Sequence, residues 1–429
     1  MHLLRLDNYP SLGSSICARN SLVEGLIDNI AAFHQFGRKT VQTTTRVELQ
    51  RGSLDVPTFI NEFWTSQQRQ SNPLHEISHR ACFKPELPRF FIERLTKPGD
   101  LVFDPFMGRG TTVIEAALLR RSAGGSDANP LCAMLTRPRL KPPTVEQIAE
   151  RLKEIPLNNC VELPSKLLTF YHPETLKEIS SLKKYFADRA SDQSKDYVDE
   201  WIEMVALNRL TGYSPGFFSV YTLPPNQSVT VAAQQRINAK RAQTPPRRHV
   251  APIILKKSSA LLSGCCHSTR ATLQKSANPQ CVTTGSASAL AVPPNSVDLV
   301  VSSPPFLDVV DYKTDNWLRC WFADIDPDSV QLTTPRRSGE WQAEMKKVFA
   351  ELYRVLLPGG HLAFEVGEVR GGKLKMEHLV IPVAVAAGFQ PLLILINDQK
   401  FTKTANCWRV DNNVKGTNTN RVVVLIKPH

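Results

Sequence analysis

Residues 104–112 have the sequence Asp-Pro-Phe-Met-Gly-Arg-Gly-Thr-Thr, and this segment decides the fold class. The apolar run Leu101–Phe103 before it predicts a strand, and the apolar spacing after it predicts a helix to about Arg121. Ser122–Ser126 predicts a second strand, which leads to Asp127. A strand, a glycine-rich turn, a helix and a strand in this order form half of a doubly wound sheet.

The composition of this turn predicts a ligand. Gly108 and Gly110 let the backbone approach a bound molecule closely, and Thr111 is positioned to cap the helix that follows. Asp104 at the strand end would repel a pyrophosphate but suits an ammonium group, so S-adenosylmethionine fits better than NAD. Asp127 lies where an acid can bind the two ribose hydroxyls. A plain strand-to-helix turn without a ligand is the alternative.

A second motif, Ser303-Pro304-Pro305-Phe306, comes directly after the apolar strand Val297–Val301. Two prolines make a rigid loop at the carboxyl edge of the sheet, where ligands of such folds bind. The loop presents a hydroxyl, a fixed carbonyl and an aromatic ring, which suit an extruded base with an exocyclic amino group. A generic proline turn is the alternative.

The composition is that of a globular protein. The chain has 429 residues, which favours two or three domains, with 42% apolar and 21% charged residues. No apolar stretch is long enough for a membrane span, and the N-terminus lacks the layout of a secretion signal. The nine cysteines contain no C-x-x-C pair, which predicts reduced thiols and no metal site.

The charge is distributed unevenly. Lys and Arg number 52 against 40 Asp and Glu, a formal net charge of +12. No acidic residue occurs between Glu203 and Asp298, a pattern that favours a polyanionic partner such as nucleic acid over a solvated surface. The basic residues predicted to contact DNA are Arg236, Lys240, Arg241, Arg247, Arg248, Lys256 and Lys257.

The rest of the chain predicts a sheet interrupted by an insert. Residues 144–210 have helical spacings, and the alternation of strands and helices resumes near residue 280. We therefore predict an α/β fold whose mixed sheet is split by a large, mostly helical, basic insert. The predicted regions are an N-terminal extension (1–55), a catalytic domain (56–140 and 280–429) and an inserted target-recognition region (141–279).

Together, the segments at 104–112 and 303–306 resemble the amino-directed DNA methyltransferases, which methylate N4 of cytosine or N6 of adenine. The resemblance covers roughly residues 75–140 and 280–429, and it implies a Rossmann-like methyltransferase sheet. In that family the first segment binds S-adenosylmethionine and the tetrapeptide is the catalytic loop. A serine at the head of the tetrapeptide, here Ser303, is usual among the N4-cytosine enzymes.

The resemblance also assigns site residues. Phe83-Lys84-Pro85 resembles an additional cofactor motif, whereas Gly285-Ser286-Ala287 departs from the Gly-Asp-Ala that the family often has. Residues 415–421 resemble a further family element and could equally form a hairpin turn. The implied catalytic residues are Ser303, Pro304, Pro305 and Phe306. The implied cofactor residues are Phe83, Lys84, Pro85, Asp104, Pro105, Phe106, Gly108, Gly110, Thr111, Thr112 and Asp127.

The expected activity is transfer of a methyl group to N4 of a flipped cytosine in duplex DNA. Three alternatives stay open: an N6-adenine DNA methyltransferase, an RNA guanine-N2 methyltransferase and a catalytically inactive nucleic-acid-binding relative. The expected partners are double-stranded DNA and a cognate restriction endonuclease. The expected location is the bacterial or archaeal cytoplasm, in association with the nucleoid.

Overall fold

The computed structural model describes residues 25–65, 71–79, 82–159, 162–222, 228–305, 312–330, 337–369, 374–398 and 419–429. The strands are β1 (Val41–Glu48), β2 (Ser53–Asn61), β3 (Leu101–Asp104), β4 (Ser122–Asp127), β5 (Ala277–Thr284), β6 (Val297–Ser302), β7 (Leu356–Val366), β8 (Glu368–Val369), β9 (Leu374–Lys375), β10 (Gln390–Asp398) and β11 (Thr419–Ile426). Residues 25–31 are helical where the description begins, and the α-helices after them are α1 (Glu86–Leu95), α2 (Thr111–Leu118), α3 (Pro130–Leu140), α4 (Val145–Glu154), α5 (Pro173–Ser191), α6 (Tyr197–Leu207), α7 (Val231–Arg241), α8 (Val250–Leu262), α9 (His267–Ser276), α10 (Tyr312–Phe322), α11 (Ser338–Val355) and α12 (Glu377–Ala386).

Over these residues, the strands form one nine-stranded mixed sheet and an antiparallel pair of β8 and β9. The order in the large sheet is β1-β2-β10-β11-β7-β6-β3-β4-β5, with β3, β4, β5, β6 and β7 parallel and β11 antiparallel to its neighbours β7 and β10. The predicted α/β fold class is confirmed.

Both faces of the sheet are buried, as an open parallel sheet requires. Successive residues of β3 point to opposite faces, so Val102 packs in one apolar core and Phe103 in the other. The first core contains α2 and apolar residues of the insert, such as Trp201 of α6, and the second contains α11 and α12. The carboxyl ends of β3, β4 and β6 therefore share one edge of a rigid scaffold.

The insert lies between β4 and β5. Helices α4 to α9 occupy most of its described residues, so the expectation of a mostly helical insert is confirmed. The chain returns through β5, which pairs with β4 at the edge of the sheet. None of the described helices has the length and apolar character needed to cross a membrane.

The structure differs from the predicted boundary at residue 55. Strand β1, which the sequence prediction assigned to an extension, pairs with β2 across the whole register from Val41 to Glu48. It is an edge strand in which Val47 is the one buried residue, so it lacks the apolar alternation that marks an internal strand. This explains why its periodicity is weak in the sequence.

Candidate active site

Two carboxylates lie at the ends of adjacent parallel strands. Asp104 ends β3 and is 1% exposed, and its Oδ1 accepts hydrogen bonds from the Ser302 hydroxyl at 2.6 Å and the Phe106 N–H at 3.0 Å. Burial raises the pKa of Asp104 to about 7. Asp127 ends β4, and it accepts hydrogen bonds from the N–H groups of Gly108 and Asn129, each at 2.9 Å. Burial also raises the pKa of Asp127.

The glycine turn between these acids has two different constraints. Gly108 and Gly110 both have positive φ, at +50° and +74°. A Cβ at Gly110 would collide with the side chain of Thr136, so close packing against α3 requires glycine there. A Cβ at Gly108 would make only an ordinary van der Waals contact with the His79 ring, at 3.7 Å, so it is the positive φ and not close packing that favours glycine there.

The two threonines have structural contacts that the sequence did not predict. Thr111 begins α2 but does not cap it: the N-cap is Gly110, which has no side chain to accept the N–H groups of the first turn. Thr112 is fully buried and donates its hydroxyl to the Val301 carbonyl at 3.0 Å. The uncapped first turn has the positive end of the helix dipole, which suits an anionic ligand group.

The structure brings the Phe83-Lys84-Pro85 segment to the glycine turn at residues 104–112, which we call the cofactor turn. Arg109 donates from Nη1 to the Ile77 carbonyl at 3.0 Å and from Nη2 to the Phe83 carbonyl at 3.4 Å. Partial burial lowers the pKa of Lys84. Arg109, between the two glycines, therefore links the Phe83-Lys84-Pro85 segment to the turn. The sequence pattern did not identify this role.

These residues fit S-adenosylmethionine. The molecule carries an ammonium group, a carboxylate and two ribose hydroxyls. The buried Asp104 carboxylate suits the ammonium group, the uncapped start of α2 suits the carboxylate, and Asp127 suits the hydroxyls. Pro105 and Phe106 complete the turn, and Phe106 is half-buried beside the second core.

The described part of the predicted catalytic loop, residues 303–305, is held by Glu365 and Trp341, which sequence reasoning missed. Asn420, which lies in the segment 415–421 that the sequence analysis singled out, supports the loop through Glu365. The Ser303 hydroxyl donates to Glu365 Oε2 at 2.5 Å, and Asn420 Nδ2 donates to Glu365 Oε1 at 3.0 Å. Trp341 Nε1 donates to the Pro305 carbonyl at 3.0 Å. Glu365 is an acid within the buried strand β7, and burial raises its pKa. An acid in an otherwise apolar strand is the signal that could have identified it.

The two motifs meet through direct contacts between their strands. The Ser302–Asp104 hydrogen bond and the Thr112–Val301 hydrogen bond join β6 to the cofactor turn. Asp298, at the other end of β6, accepts the Leu101 N–H at 2.9 Å, which is a structural contact within the sheet. Of the four predicted catalytic residues, Ser303, Pro304 and Pro305 lie at this junction, and Phe306 is outside the described residues.

The predicted DNA-contacting residues have different surroundings. Arg236, Lys240 and Arg241 are exposed on α7, and the Arg241 guanidinium lies 3.8 Å from the centre of the Tyr221 ring. Arg247 forms ion pairs with Glu174 at 3.2 Å and Glu178 at 3.1 Å. Arg248 is half-buried, and α8 carries the exposed Lys256 and the half-buried Lys257. The block without acidic residues in the sequence is therefore not free of acids in space, because α5 brings two glutamates to Arg247.

Comparison with known proteins finds a family match that includes the glycine turn. Residues 36–134 match the model of the N6/N4 DNA methylase family. A Type II methyltransferase, M.MjaII of Methanocaldococcus jannaschii, is 28% identical over 142 residues, which are 32% of this chain and 26% of that protein. This chain thus spans about a quarter of that relative's length.

Two solved structures are similar over most of the chain. A SAM-dependent methyltransferase from Methanosarcina mazei has 10% identity and a TM-score of 0.33, with 79% of this chain and 97% of that chain covered. The rRNA methyltransferase aviRa from Streptomyces viridochromogenes has 12% identity and a TM-score of 0.32, with 83% and 89% covered. The family match includes Asp104, the glycine turn and Asp127. Residues 36–134 of this chain are therefore similar to the DNA methylase family, a similarity that supports an amino-directed methyltransferase with S-adenosylmethionine as its cofactor.

Proposed function

We propose that this protein transfers a methyl group from S-adenosylmethionine to N4 of a flipped cytosine in duplex DNA. The observation that carries the proposal is the hydrogen bond from Ser303 to Glu365, one residue from the Ser302–Asp104 contact with the cofactor turn. Ser303 donates its only hydroxyl proton to Glu365, so its lone pairs are left to accept a hydrogen bond from an amino group. An acceptor is what an exocyclic amine requires.

The proposed reaction needs no enzyme nucleophile. When bound, S-adenosylmethionine supplies an electrophilic methyl group on its sulfonium sulfur. The Ser303 hydroxyl and the Pro304 carbonyl accept hydrogen bonds from the target amine and align its lone pair with the methyl carbon. The N–C bond forms as the S–C bond breaks, and the amine then releases one proton through Ser303 to the Glu365 carboxylate. Burial raises the pKa of Glu365, which makes this carboxylate a stronger base than an exposed one.

The base specificity is tested on the product. Duplex DNA treated with the protein and S-adenosylmethionine should contain N4-methylcytosine, measured as nucleosides by mass spectrometry after digestion. The reason is Ser303 at the head of the catalytic loop, where adenine enzymes more often have Asp or Asn. N6-methyladenine as the only product would contradict the assignment to cytosine, and methylated guanine in RNA would also contradict the assignment to DNA.

We further propose that the methylated base protects the genome against a cognate restriction endonuclease.

We propose that the exposed arginines and lysine of α7 bind the DNA backbone. The triple variant Arg236→Gln, Lys240→Gln and Arg241→Gln should weaken binding to all duplexes, because a phosphate without its cationic partner keeps its condensed counterions. The slope of log affinity against log salt should become less steep by about 0.9 for each phosphate that the variant no longer neutralises. Fluorescence anisotropy at several salt concentrations measures both quantities.

Arg247→Gln provides the comparison within the same basic block. The Arg247 guanidinium is paired with Glu174 and Glu178. The change should therefore lower the melting temperature, whereas the affinity for duplex DNA should change little. If the α7 variant binds DNA with the affinity and salt slope of the unmodified protein, α7 is not a DNA-binding element.

A further inference from the structure

Helix α10 follows the predicted catalytic loop in the chain, and it also contacts the segment that leads into α7. The Asp315 carbonyl of α10 accepts the Ser228 N–H at 2.8 Å. Trp317 Nε1 of the same helix donates to the Val229 carbonyl at 3.1 Å. Thr230, the next residue, is the N-cap of α7. Two hydrogen bonds from α10 therefore fix the start of the helix that we propose to bind DNA.

Arg319 connects α10 to a second element. Its side chain is buried, and Nη2 donates to the Ser78 carbonyl at 2.9 Å, while Nη1 donates to the Asn316 side-chain oxygen at 3.2 Å. Burial lowers the pKa of Arg319 to about 10, so the guanidinium is charged at neutral pH. A charged donor in a buried position forms strong hydrogen bonds, because water does not compete for the acceptor.

The segment that Arg319 holds, residues 77–79, is in contact with the cofactor turn. Arg109 of the turn donates to the Ile77 carbonyl at 3.0 Å. The His79 ring lies 3.7 Å from the position that a Cβ on Gly108 would occupy. A movement of α10 would therefore act on the cofactor turn through Ser78 and its two neighbours.

We propose that Arg319 is a positioning residue that couples the binding of duplex DNA to the binding of S-adenosylmethionine. DNA on α7 favours the position of α10 in which Arg319 reaches Ser78, and a cofactor at the turn favours the same position. Each ligand then raises the affinity for the other by the same factor. The inference rests on the proposed function, because α7 binds DNA only under that proposal.

The experiment measures the affinity for S-adenosylhomocysteine, which lacks the reactive methyl group, by calorimetry with and without the shortest duplex that the protein methylates. In the unmodified protein we expect the duplex to raise this affinity about tenfold. In Arg319→Met the increase should be about twofold at most, because the side chain no longer holds the Ser78 carbonyl. The affinity without duplex should be unchanged, since Arg109 and Asn208, which accepts the Ser78 N–H at 2.9 Å, still hold the segment.

Arg121→Met is the matched control. Arg121 is also a buried arginine that donates to backbone carbonyls, those of Thr96 and Leu119, each at 2.7 Å, but it lies beyond the end of α2 that is remote from the cofactor turn. This variant should have a lower melting temperature and keep the full effect of the duplex. Arg319→Lys, which keeps the charge and a donor, should recover part of the coupling.

Trp317→Phe tests the other end of the connection, because it removes the hydrogen bond to Val229. It should reduce the effect of the duplex as Arg319→Met does, and the double variant should show no further loss, since both residues act through α10. If the protein methylates a duplex but Arg319→Met and Trp317→Phe keep the full effect, or the duplex has no effect in the unmodified protein, the coupling is wrong and the proposed function stands. If no duplex is methylated, both fail.

Discussion

Replacing Glu365 with glutamine will lower kcat by about 10²- to 10⁴-fold while the affinity for S-adenosylmethionine stays unchanged. The glutamine amide keeps the size of the side chain and can still accept from Ser303, but it cannot take up a proton. Single-turnover methylation of a short duplex measures the rate, and calorimetry measures the cofactor affinity. Glu365→Asp should recover part of the rate, since the carboxylate remains but lies farther from Ser303.

The pH profile separates this role from a merely structural one. The methylation rate should rise with pH through the pKa of Glu365, which burial places above the ordinary value of a carboxyl group. Glu365→Gln should lose this rise. If the variant is slow but keeps the same pH profile, Glu365 positions Ser303 without accepting the proton, and Ser303→Ala should then be equally slow.

Replacing Asp104 with asparagine will weaken S-adenosylmethionine binding by about 10- to 100-fold, because the ammonium group loses its charged partner. In the unmodified protein this affinity should fall as the pH drops below about 7, where the Asp104 carboxylate becomes protonated. The variant should not show this dependence. Calorimetry between pH 6 and about pH 8.5 checks both expectations, at pH values that bracket the pKa of this residue.

The same variant should be more stable in the absence of cofactor. The folded-state pKa of about 7 lies above the ordinary value of 3.8, so Asp104 costs stability progressively between these two pH values and fully above pH 7. One pKa unit corresponds to about 1.4 kcal/mol, so the cost is on the order of 4 kcal/mol at most. Thermal unfolding at pH 8 measures it.

Asp298→Asn is the matched control for Asp104→Asn. It removes a carboxylate from the neighbouring strand β6, at the end that contacts Leu101 rather than the cofactor turn. It should leave S-adenosylmethionine affinity and its pH dependence unchanged. Equal losses from the two variants would show that Asp104 acts through the sheet rather than through the ligand.

The cofactor turn was predictable because its determinants are local. The acid, the two glycines and the following apolar helix lie within one short segment, and their spacing alone predicts a strand, a turn and a helix. The cap was predicted one residue too late because Gly110, in the left-handed region, ends the turn before Thr111. The reason for Gly110 is Thr136 on another helix, which no local pattern contains.

The contacts that support the predicted catalytic loop were not predictable, because their residues are distant from the loop in sequence. Glu365, Asn420 and Trp341 come from three elements that are distant in sequence and meet only because β7 and β11 pair and α11 packs on the sheet. The basic block shows the same limit, since the glutamates that pair with Arg247 lie about 70 residues earlier in the chain. A count of charges along a sequence contains no information about which helices become neighbours.

The hydrogen bond between Ser302 and Asp104 has a consequence for the order in which the site is assembled. It joins residues 198 positions apart, and strand β6 is central in the sheet, between β3 and β7. Closing so long a loop costs conformational entropy, and only the contacts that form afterwards offset this cost. Such pairings are therefore expected to form late in folding. A nascent chain that ends within the insert contains the complete glycine turn but lacks Ser302, whose hydroxyl donates to Asp104 in the folded protein. We therefore expect high-affinity cofactor binding only once synthesis has passed β6, which makes it a reporter of the assembled contact between β3 and β6.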